Sequence, residues 1–337
     1  MSAINTTPPP QDIDRVIAET DAAVARIKAA RDAIGAVIYG QESVVERALI
    51  TILAGGHGLL IGVPGLAKTK LVETLGTVFG LTSRRIQFTP DLMPSDIIGS
   101  EVMDQAADGT RSFRFLQGPV FAQLLMADEI NRASPRTQSA LLQSMQEYHV
   151  TVAGVRYDLP LPFHVLATQN PLEQEGTYPL PEAQLDRFLL QIDVLYPELA
   201  AERRMLFETT GATEAHATEV LDATTLRSIQ LLVRRMPVGE SVVEGILNLV
   251  RSARPDGAAS PKLAAAIARG PGPRASQALM LAARARALID GRYAPSLDDV
   301  AALAEPVLQH RMALSFAARA DGMTVRDVIA ELKQKVG

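Results

Sequence analysis

The sequence predicts an α/β domain built around a parallel sheet, followed by an all-helical domain. Between residues 57 and 194, short and almost uninterrupted apolar runs alternate with helical stretches, and turn residues bound each run. Such runs are expected of parallel strands that helices cover on both faces. After residue 197 the strand pattern stops and helical periodicity takes over, which predicts the second domain.

The length of the chain agrees with this division. Its 337 residues suffice for two domains of ordinary size, and 47% hydrophobic against 21% charged residues can supply two buried cores. We expect a leader and amphipathic helix over residues 1–35, an α/β domain over 36–196 and a helical domain over 197–337. The first ten residues are polar and end in three prolines, which predicts an extended or disordered leader.

The predicted elements follow in chain order. Apolar residues at helical spacing predict one or two amphipathic helices over residues 11–33 and a further helix over 41–54. Strands are predicted at 58–61, 86–88, 121–127, 164–167 and 188–194. Helices of the second domain are predicted at 198–210, 223–236, 241–253, 273–290, 297–310 and 325–335. Ser296 and Thr324 are each followed three residues later by Asp, so both begin helices with a pattern close to a capping box.

Composition excludes several classes of function. The absence of Cys rules out disulfides, Cys-based metal sites and a Cys nucleophile. A net charge of −5 and only 4% aromatic residues argue against nucleic-acid binding. No apolar run approaches the roughly 18 residues that cross a bilayer, and no signal-peptide pattern is visible, so we expect a cytoplasmic protein without a membrane span. The five His residues lack ligand spacing, and His57 and His164 are interpreted as structural residues at strand starts.

The strongest motif is a Gly-containing loop between the first predicted strand and the next helix, the context that a phosphate-binding loop requires. The candidate nucleotide-binding residues are Gly62, Val63, Pro64, Gly65, Leu66, Ala67, Lys68, Thr69 and Lys70. Backbone N–H groups would surround the phosphates, Lys68 would reach the β- and γ-phosphates, and the Thr69 hydroxyl would help to hold Mg²⁺. The pattern asks for Gly at position 67; Ala67 fits if its φ angle is negative. The alternative is a plain turn with a solvated Lys.

Two further candidates lie at the ends of later strands. Asp128 and Glu129 follow an apolar run, which places them at the carboxyl edge of the sheet, where α/β proteins bind ligands. Asp128 would act through Mg²⁺, and Glu129 would polarise the attacking water. Asn170 follows the strand predicted at 164–167, where a buried run ends in polar amides, and would position that water or bind the γ-phosphate. Taken alone, Asn170 before a Pro is equally well a turn residue.

Two arginines are candidates for stabilising charge on the transferred phosphoryl group, a role worth about 10³–10⁵ in rate. They are Arg187, which follows Asp186, and Arg274, which follows a Gly/Pro-rich stretch. The alternatives are a local ion pair between Arg187 and Asp186, and an exposed helix N-terminal charge at Arg274.

The order of these motifs resembles the MoxR family of AAA+ ATPases. The matching strings are IGVPGLAKT at 61–69, QFTPDLMPSDI at 87–97, ADEINRA at 127–133, QSALL at 138–142, ATQNP at 167–171 and LPEAQLDRF at 180–188. MoxR proteins carry Ala at the position of Ala67. The resemblance implies an AAA+ P-loop NTPase core with a parallel sheet and a C-terminal all-helical lid domain, with ATP and Mg²⁺ as cofactors.

The resemblance also implies roles at matching positions. Lys68 and Thr69 look like the Walker A pair and Asp128 and Glu129 like the Walker B pair. Asn170 resembles sensor 1, Arg187 the arginine finger and Arg274 sensor 2, which would couple γ-phosphate contacts to rotation of the lid. Because an arginine finger acts on a neighbouring subunit, the resemblance implies a homo-oligomeric ring, most simply a hexamer. Arg132 and Arg136 are second-choice trans arginines.

The family further implies a protein client, which would be remodelled, activated or matured, for example by metal-cofactor insertion, with a separate partner that bears a von Willebrand factor A (vWA) domain. Two segments, 99–118 and a β-hairpin at 149–159, resemble inserts of this clade that would face a pore or rim of the ring. The alternatives are a motor subunit of a chelatase or nucleic-acid complex, and a scaffold that nucleotide merely assembles. No vWA segment lies in this sequence.

Overall fold

A computed structural model describes residues 10–105, 111–172, 176–210, 215–258 and 260–334. Residues 1–9 of the leader predicted at 1–10, and the centre of the 99–118 segment, lie outside the described residues, whereas Pro10 is the first residue of a helix. Two helices come first, α1 (Pro10–Gly35) and α2 (Glu42–Leu53), and α1 is one continuous helix rather than a pair.

The α/β domain follows from residue 58. Its strands are β1 (Gly58–Ile61), β2 (Ser83–Gln87), β3 (Gly99–Gln105), β4 (Arg111–Gln117), β5 (Leu124–Asp128), β6 (His149–Val152), β7 (Val155–Asp158), β8 (His164–Gln169) and β9 (Leu190–Asp193). Its helices are α3 (Lys68–Val78), α4 (Pro94–Ile98), α5 (Pro135–Glu147) and α6 (Glu182–Leu185), with a 3₁₀ turn at Ile130–Arg132.

The main sheet among the described residues has five parallel strands in the order β2-β5-β8-β1-β9. All five residues of β5 are buried. Leu124 and Met126 face the core that also contains α1, α2 and the C-terminal helices, whereas Leu125 and Ala127 face a second core that contains α5. The predicted parallel sheet covered on both faces is therefore confirmed, and its apolar runs arise because each strand packs on both sides.

The C-terminal region is helical, as predicted. It contains α7 (Leu199–Thr209), α8 (Ala223–Arg235), α9 (Glu240–Ser252), α10 (Pro261–Ala266), α11 (Pro273–Ile289), α12 (Leu297–Leu308), α13 (Phe316–Ala320) and α14 (Val325–Lys333), with 3₁₀ turns at Pro255–Gly257 and Gln309–Arg311. Both predicted capping boxes, at Ser296 and Thr324, are present. A two-stranded antiparallel ribbon of β10 (Ile267–Arg269) and β11 (Ala313–Leu314) was not predicted, because segments of three and two residues carry no periodicity.

Two hairpins project from the α/β domain. Strands β6 and β7 form the hairpin predicted at 149–159, and β3 pairs with β4 over the described parts of the 99–118 segment. Phe115 of β4 stacks on Tyr157 of β7 with ring centroids 4.1 Å apart, so the two hairpins support each other. Met103 and Phe113 remain exposed. Among the described residues, no helix combines the length and apolar character that crossing a bilayer requires.

Candidate functional site

The carboxyl ends of three adjacent strands bring the principal candidates together. Strand β8 lies between β5 and β1, so Asn170 at the end of β8 lies between Asp128 and the loop that follows β1. The loop is tied directly to β8, since Gly62 N donates to Gln169 O at 3.2 Å. This edge of a parallel sheet is where ligands of α/β proteins bind.

The loop after β1 is held in a conformation that the sequence analysis did not predict. Ala67 has φ 54° and ψ 22°, so the negative φ that the sequence analysis set as the condition for Ala at this position is not met. Ala67 occupies the left-handed region immediately before α3 begins, and Gly65 also has a positive φ of 85°. Left-handed geometry costs an L-residue roughly 1–2 kcal/mol, and strain of this kind often accompanies functional loops.

Lys68 folds back over this loop. Its Nζ donates hydrogen bonds to the carbonyl oxygens of Gly62 at 2.7 Å and Val63 at 2.8 Å. Burial lowers the pKa of Lys68 below its ordinary value, although the negative charges of Asp128 and Glu129 partly offset this. The ammonium group is therefore within electrostatic reach of both carboxylates.

Asp128 and Glu129 are oriented by one hydroxyl group that the sequence analysis gave no role. Thr168 Oγ1 donates to Asp128 Oδ1 at 2.5 Å and accepts a hydrogen bond from Glu129 N at 2.9 Å. Glu129 has φ 55° and ψ 49°, again in the left-handed region, so the chain turns sharply after β5 and directs the two neighbouring side chains differently. In the sequence, Thr168 follows the strand predicted at 164–167 and lies in the string ATQNP at 167–171, and neither observation assigns it a role.

The edge strand β2 contributes two further side chains that the sequence analysis missed. Arg85 donates to Asp128 Oδ2 at 2.6 Å, and Gln87 Nε2 donates to Glu129 Oε2 at 2.8 Å. Arg132 also reaches Glu129 Oε2, at 3.1 Å. Arg85 and Gln87 reach the carboxylates only because β2 pairs with β5, with Gln87 opposite Asp128.

Asn170 is buried, and its Oδ1 accepts a hydrogen bond from Leu172 N at 3.1 Å. This bond is the local contact expected if Asn170 is only a turn residue. Asn170 also lies at the carboxyl edge of the sheet, as Lys68 and Asp128 do. Both interpretations are thus compatible with its place.

The two candidate arginines lie at the opposite end of the sheet. Leu189, two residues after Arg187, donates its N–H to His57 O at 2.7 Å, and His57 immediately precedes β1. Arg187 and Arg274 line one cleft there, together with Gly55 and Gly56. The length of β1 therefore separates them from Lys68 of their own chain.

The surroundings of Arg187 do not include the ion pair with Asp186 that the alternative interpretation of this residue predicted. Asp186 instead contacts Arg311 at 2.8 Å and Arg274 at 3.9 Å, while Arg187 Nη1 donates to Leu142 O. Burial and the neighbouring Arg274 charge lower the pKa of Arg187 below its ordinary value. Among the described side chains, Arg187 Nε is one of the few buried polar atoms without a hydrogen-bond partner.

Arg136, a second-choice trans arginine like Arg132, is exposed at the start of α5.

A cleft of about 590 Å³ opens beside the loop, at the carboxyl end of β9. Its lining includes Gly40 and Gln41 from the α1–α2 connection and Leu195 from the segment after β9. Gln41 Nε2 donates to Leu195 O at 2.9 Å and joins the two walls. Gly62 lies so close to Val194 that a Cβ at position 62 would come within 2.6 Å of its carbonyl oxygen, so the cleft and the loop are contiguous.

The donor set at this edge fits Mg²⁺ bound together with a nucleotide. Thr69 and Asp128 offer oxygen donors, which this hard cation prefers. Within the described ranges, no cluster of three or more His, Cys, Asp or Glu side chains could hold a metal. A metal at Asp128 would therefore take most of its ligands from phosphate oxygens and water, which is the usual arrangement for Mg²⁺.

The two strand-start histidines have structural contacts. His57 Nδ1 accepts a hydrogen bond from Val165 N at 3.0 Å, and its Nε2 lies 3.2 Å from Met145 O. His164 Nδ1 lies 2.8 Å from Gly56 O. Burial lowers the pKa of His57 to about 3 and that of His164 to about 4. Both rings are therefore neutral at pH 7.

Comparison with known proteins gives a consistent result. Residues 57–190 match the model of the "ATPase family associated with various cellular activities (AAA)", and residues 263–332 match an AAA lid domain. The chain is 44% identical to chaperone MoxR1 of Mycobacterium tuberculosis over 89% of this chain and 79% of that protein. It is 33% identical to protein MoxR of Paracoccus denitrificans over 86% and 89% of the two chains. A crystal structure of a protein from Cytophaga hutchinsonii, assigned as an ATPase, superposes with a TM-score of 0.89 at 38% identity and covers 97% and 98% of the two chains.

Proposed function

The chain belongs to the MoxR family of AAA+ ATPases, and from this premise we propose that it uses ATP hydrolysis to remodel, activate or mature a protein client. The observation that carries the proposal is the convergence of Lys68, Asp128, Glu129 and Asn170 at one edge of the sheet. We assign the catalytic core to residues 36–196 and the lid to residues 197–337.

The nucleotide lies across the loop of residues 62–69. Loop N–H groups and the N-terminus of α3 surround the phosphates, and Lys68 exchanges its two carbonyl contacts for phosphate oxygens. Thr69 and Asp128 would hold Mg²⁺, which would neutralise charge on the phosphates. The base and ribose occupy the cleft beside Gln41, because it is contiguous with the loop and has the concave form of a ligand pocket.

Glu129 is the residue that orients and deprotonates the attacking water. Its carboxylate lies beside Asp128 and within electrostatic reach of Lys68, and Thr168 fixes its backbone N–H. Asn170 lies between Asp128 and the phosphate loop and contacts the γ-phosphate or the water. General-base catalysis of this kind contributes roughly 10²–10⁴ in rate.

Arg187 and Arg274 act on the nucleotide of a neighbouring subunit. Two features support this proposal: β1 separates both residues from their own phosphate loop, and Arg187 Nε is among the buried polar atoms of the described chain that lack a partner. A ring, most simply a hexamer, supplies such an interface at every subunit. The lid then responds to hydrolysis through Arg274, which lies in the first turn of α11.

The client is a protein, and the partner that recruits it is a separate vWA-domain protein, with metal-cofactor insertion as one possible task. Proteins retained by Glu129→Gln in MgATP should include such a partner and an enzyme subunit, identified by mass spectrometry after affinity capture. The double variant Lys68→Ala/Glu129→Gln is the matched control, because it lacks the lysine that binds the phosphates of ATP. Capture of chelatase or replication components, or of nucleic acid, would overturn the assignment of a client-maturing chaperone.

A further inference from the structure

Asp128 has both carboxylate oxygens engaged by the protein itself. Oδ1 accepts the hydrogen bond from Thr168, and Oδ2 accepts that from Arg85 at 2.6 Å. Thr168 contacts a single oxygen and carries no charge. Arg85, by contrast, places a full positive charge against the second oxygen, on the carboxylate that we assign to Mg²⁺.

The Arg85 guanidinium is placed so that it can move away from Asp128 into solvent. Its side chain is 51% exposed, whereas that of Asp128 is 13% exposed. Strand β2 forms one edge of the five-stranded sheet among the described residues, so no further strand covers Arg85 on its outer side. Arg85 is also held lightly, because its second contact, to Gln87 Oε1 at 3.0 Å, is with an exposed neutral side chain. An ion pair of this exposure contributes little net energy.

We propose that Arg85 is a resident cation that holds Asp128 Oδ2 while nucleotide is not bound, and that Mg²⁺ entering with ATP displaces it. The inference rests on the proposed function, in which Asp128 holds Mg²⁺. A metal ion and a guanidinium at the same carboxylate oxygen repel each other, so the two compete for Asp128 Oδ2. Arg85 thereby keeps Asp128 oriented for the metal and raises the Mg²⁺ concentration that the site requires.

The test measures metal-dependent nucleotide binding rather than turnover. A fluorescent, non-hydrolysable ATP analogue is titrated into the full chain at increasing Mg²⁺, and the metal concentration that gives half of the metal-dependent gain in affinity is recorded. Arg85→Gln should lower this concentration roughly two- to fivefold, the size expected of a half-exposed ion pair. Affinity measured in EDTA should stay close to that of the unmodified chain. Loss of fold stability alone would not tighten metal binding.

Arg84→Gln is the matched control, since it removes the same charge from the neighbouring exposed position, which pairs with Leu125 instead of the site. The inference would be overturned if Arg85→Gln left the half-saturating Mg²⁺ concentration unchanged, or if Arg84→Gln lowered that concentration equally. Asp128→Asn separates this failure from that of the proposed function: if it retains the full metal-dependent gain, the assignment of Asp128 to Mg²⁺ is itself wrong.

Discussion

Arg311 Nε donates a 2.8 Å hydrogen bond to Asp186 Oδ1 and so joins the lid to the segment that carries Arg187. The Arg311 side chain is only 3% exposed, and its other N–H groups donate to the carbonyl oxygens of Phe188 and Leu189. Asp186 also lies 3.9 Å from Arg274. The Asp186 carboxylate therefore contacts both Arg274 and the buried lid residue Arg311, and Asp186 immediately precedes Arg187 in the chain.

Replacing Arg311 by Met should destabilise the fold strongly. The substitution leaves buried carbonyl groups and Asp186 without their donor, and breaking a buried ion pair costs about 3–5 kcal/mol. Chemical denaturation should show a clear fall in the transition midpoint. Arg326→Met is the control, because Arg326 also joins the lid to β9 through Asp193 but is 54% exposed. It should cost no more than about 1 kcal/mol; equal losses would show that burial is not the determining factor.

Glu129→Gln should abolish turnover while ATP binding persists. The amide cannot accept the proton from water, so we expect kcat to fall by roughly 10²–10⁴ with little change in nucleotide affinity. Phosphate release and equilibrium binding measure the two quantities separately. Glu101→Gln on exposed strand β3 serves as the control. Turnover in Glu129→Gln equal to that of the unmodified chain would disprove its assignment as the base.

The trans assignment of Arg187 predicts complementation. Arg187→Ala subunits keep an intact phosphate loop, and Lys68→Ala subunits keep the arginine, so each is inactive alone. Mixed in one assembly, they form interfaces that combine both intact parts, and turnover should partly return. Arg132→Ala mixed with Lys68→Ala should give no such recovery, because Arg132 already contacts Glu129 of its own chain. The opposite pattern, with Arg187→Ala active and Arg132→Ala rescued, would make Arg132 the finger.

The left-handed conformation of Ala67 predicts an asymmetric response to substitution. Gly adopts this φ without a Cβ penalty, so Ala67→Gly should bind ATP as well as or slightly better than the unmodified chain. Val is β-branched and strongly disfavoured there, so Ala67→Val should weaken ATP affinity by about tenfold or more. Equilibrium titration with a fluorescent nucleotide measures both. Equal affinities of the Val and Gly variants would show that the loop does not need this geometry.

The buried neutral histidines predict an acid-sensitive fold. Because the pKa values of His57 and His164 are about 3 and about 4 in the folded chain, the unfolded chain binds more protons below pH 6.5. The free energy of unfolding should therefore fall as pH decreases from about 6.5 to about 4, by up to ~1.4 kcal/mol per pH unit for each histidine.

Denaturation midpoints of His57→Asn across this pH range should show a shallower slope, since one titrating group is gone. His216→Asn is the control at an exposed position and should leave the slope unchanged. Identical slopes in all three proteins would mean that other groups govern the acid response.

Much of the site was predictable because its residues follow strands along the chain. Asp128 and Asn170 follow apolar runs, and the loop before Lys68 has a recognisable pattern. The local sequence is therefore enough to predict these residues as part of a site. Arg85 lies in none of the matching strings, and Gln87 and Thr168 lie in two of them without any assigned role. They reach the carboxylates only through the lateral order of β2, β5 and β8, which no local spacing reveals.

The sequence by itself determined the parallel sheet, the helical lid and the order of motifs, because periodicity and turn residues act over short stretches of chain. Tertiary structure alone decided that Arg187 and Arg274 lie across the sheet from Lys68, that Arg311 holds Asp186, and that Ala67 is left-handed. The first two of these relationships depend on which strands become neighbours and how the lid packs on them. Such contacts join residues more than a hundred positions apart, where no sequence spacing constrains them.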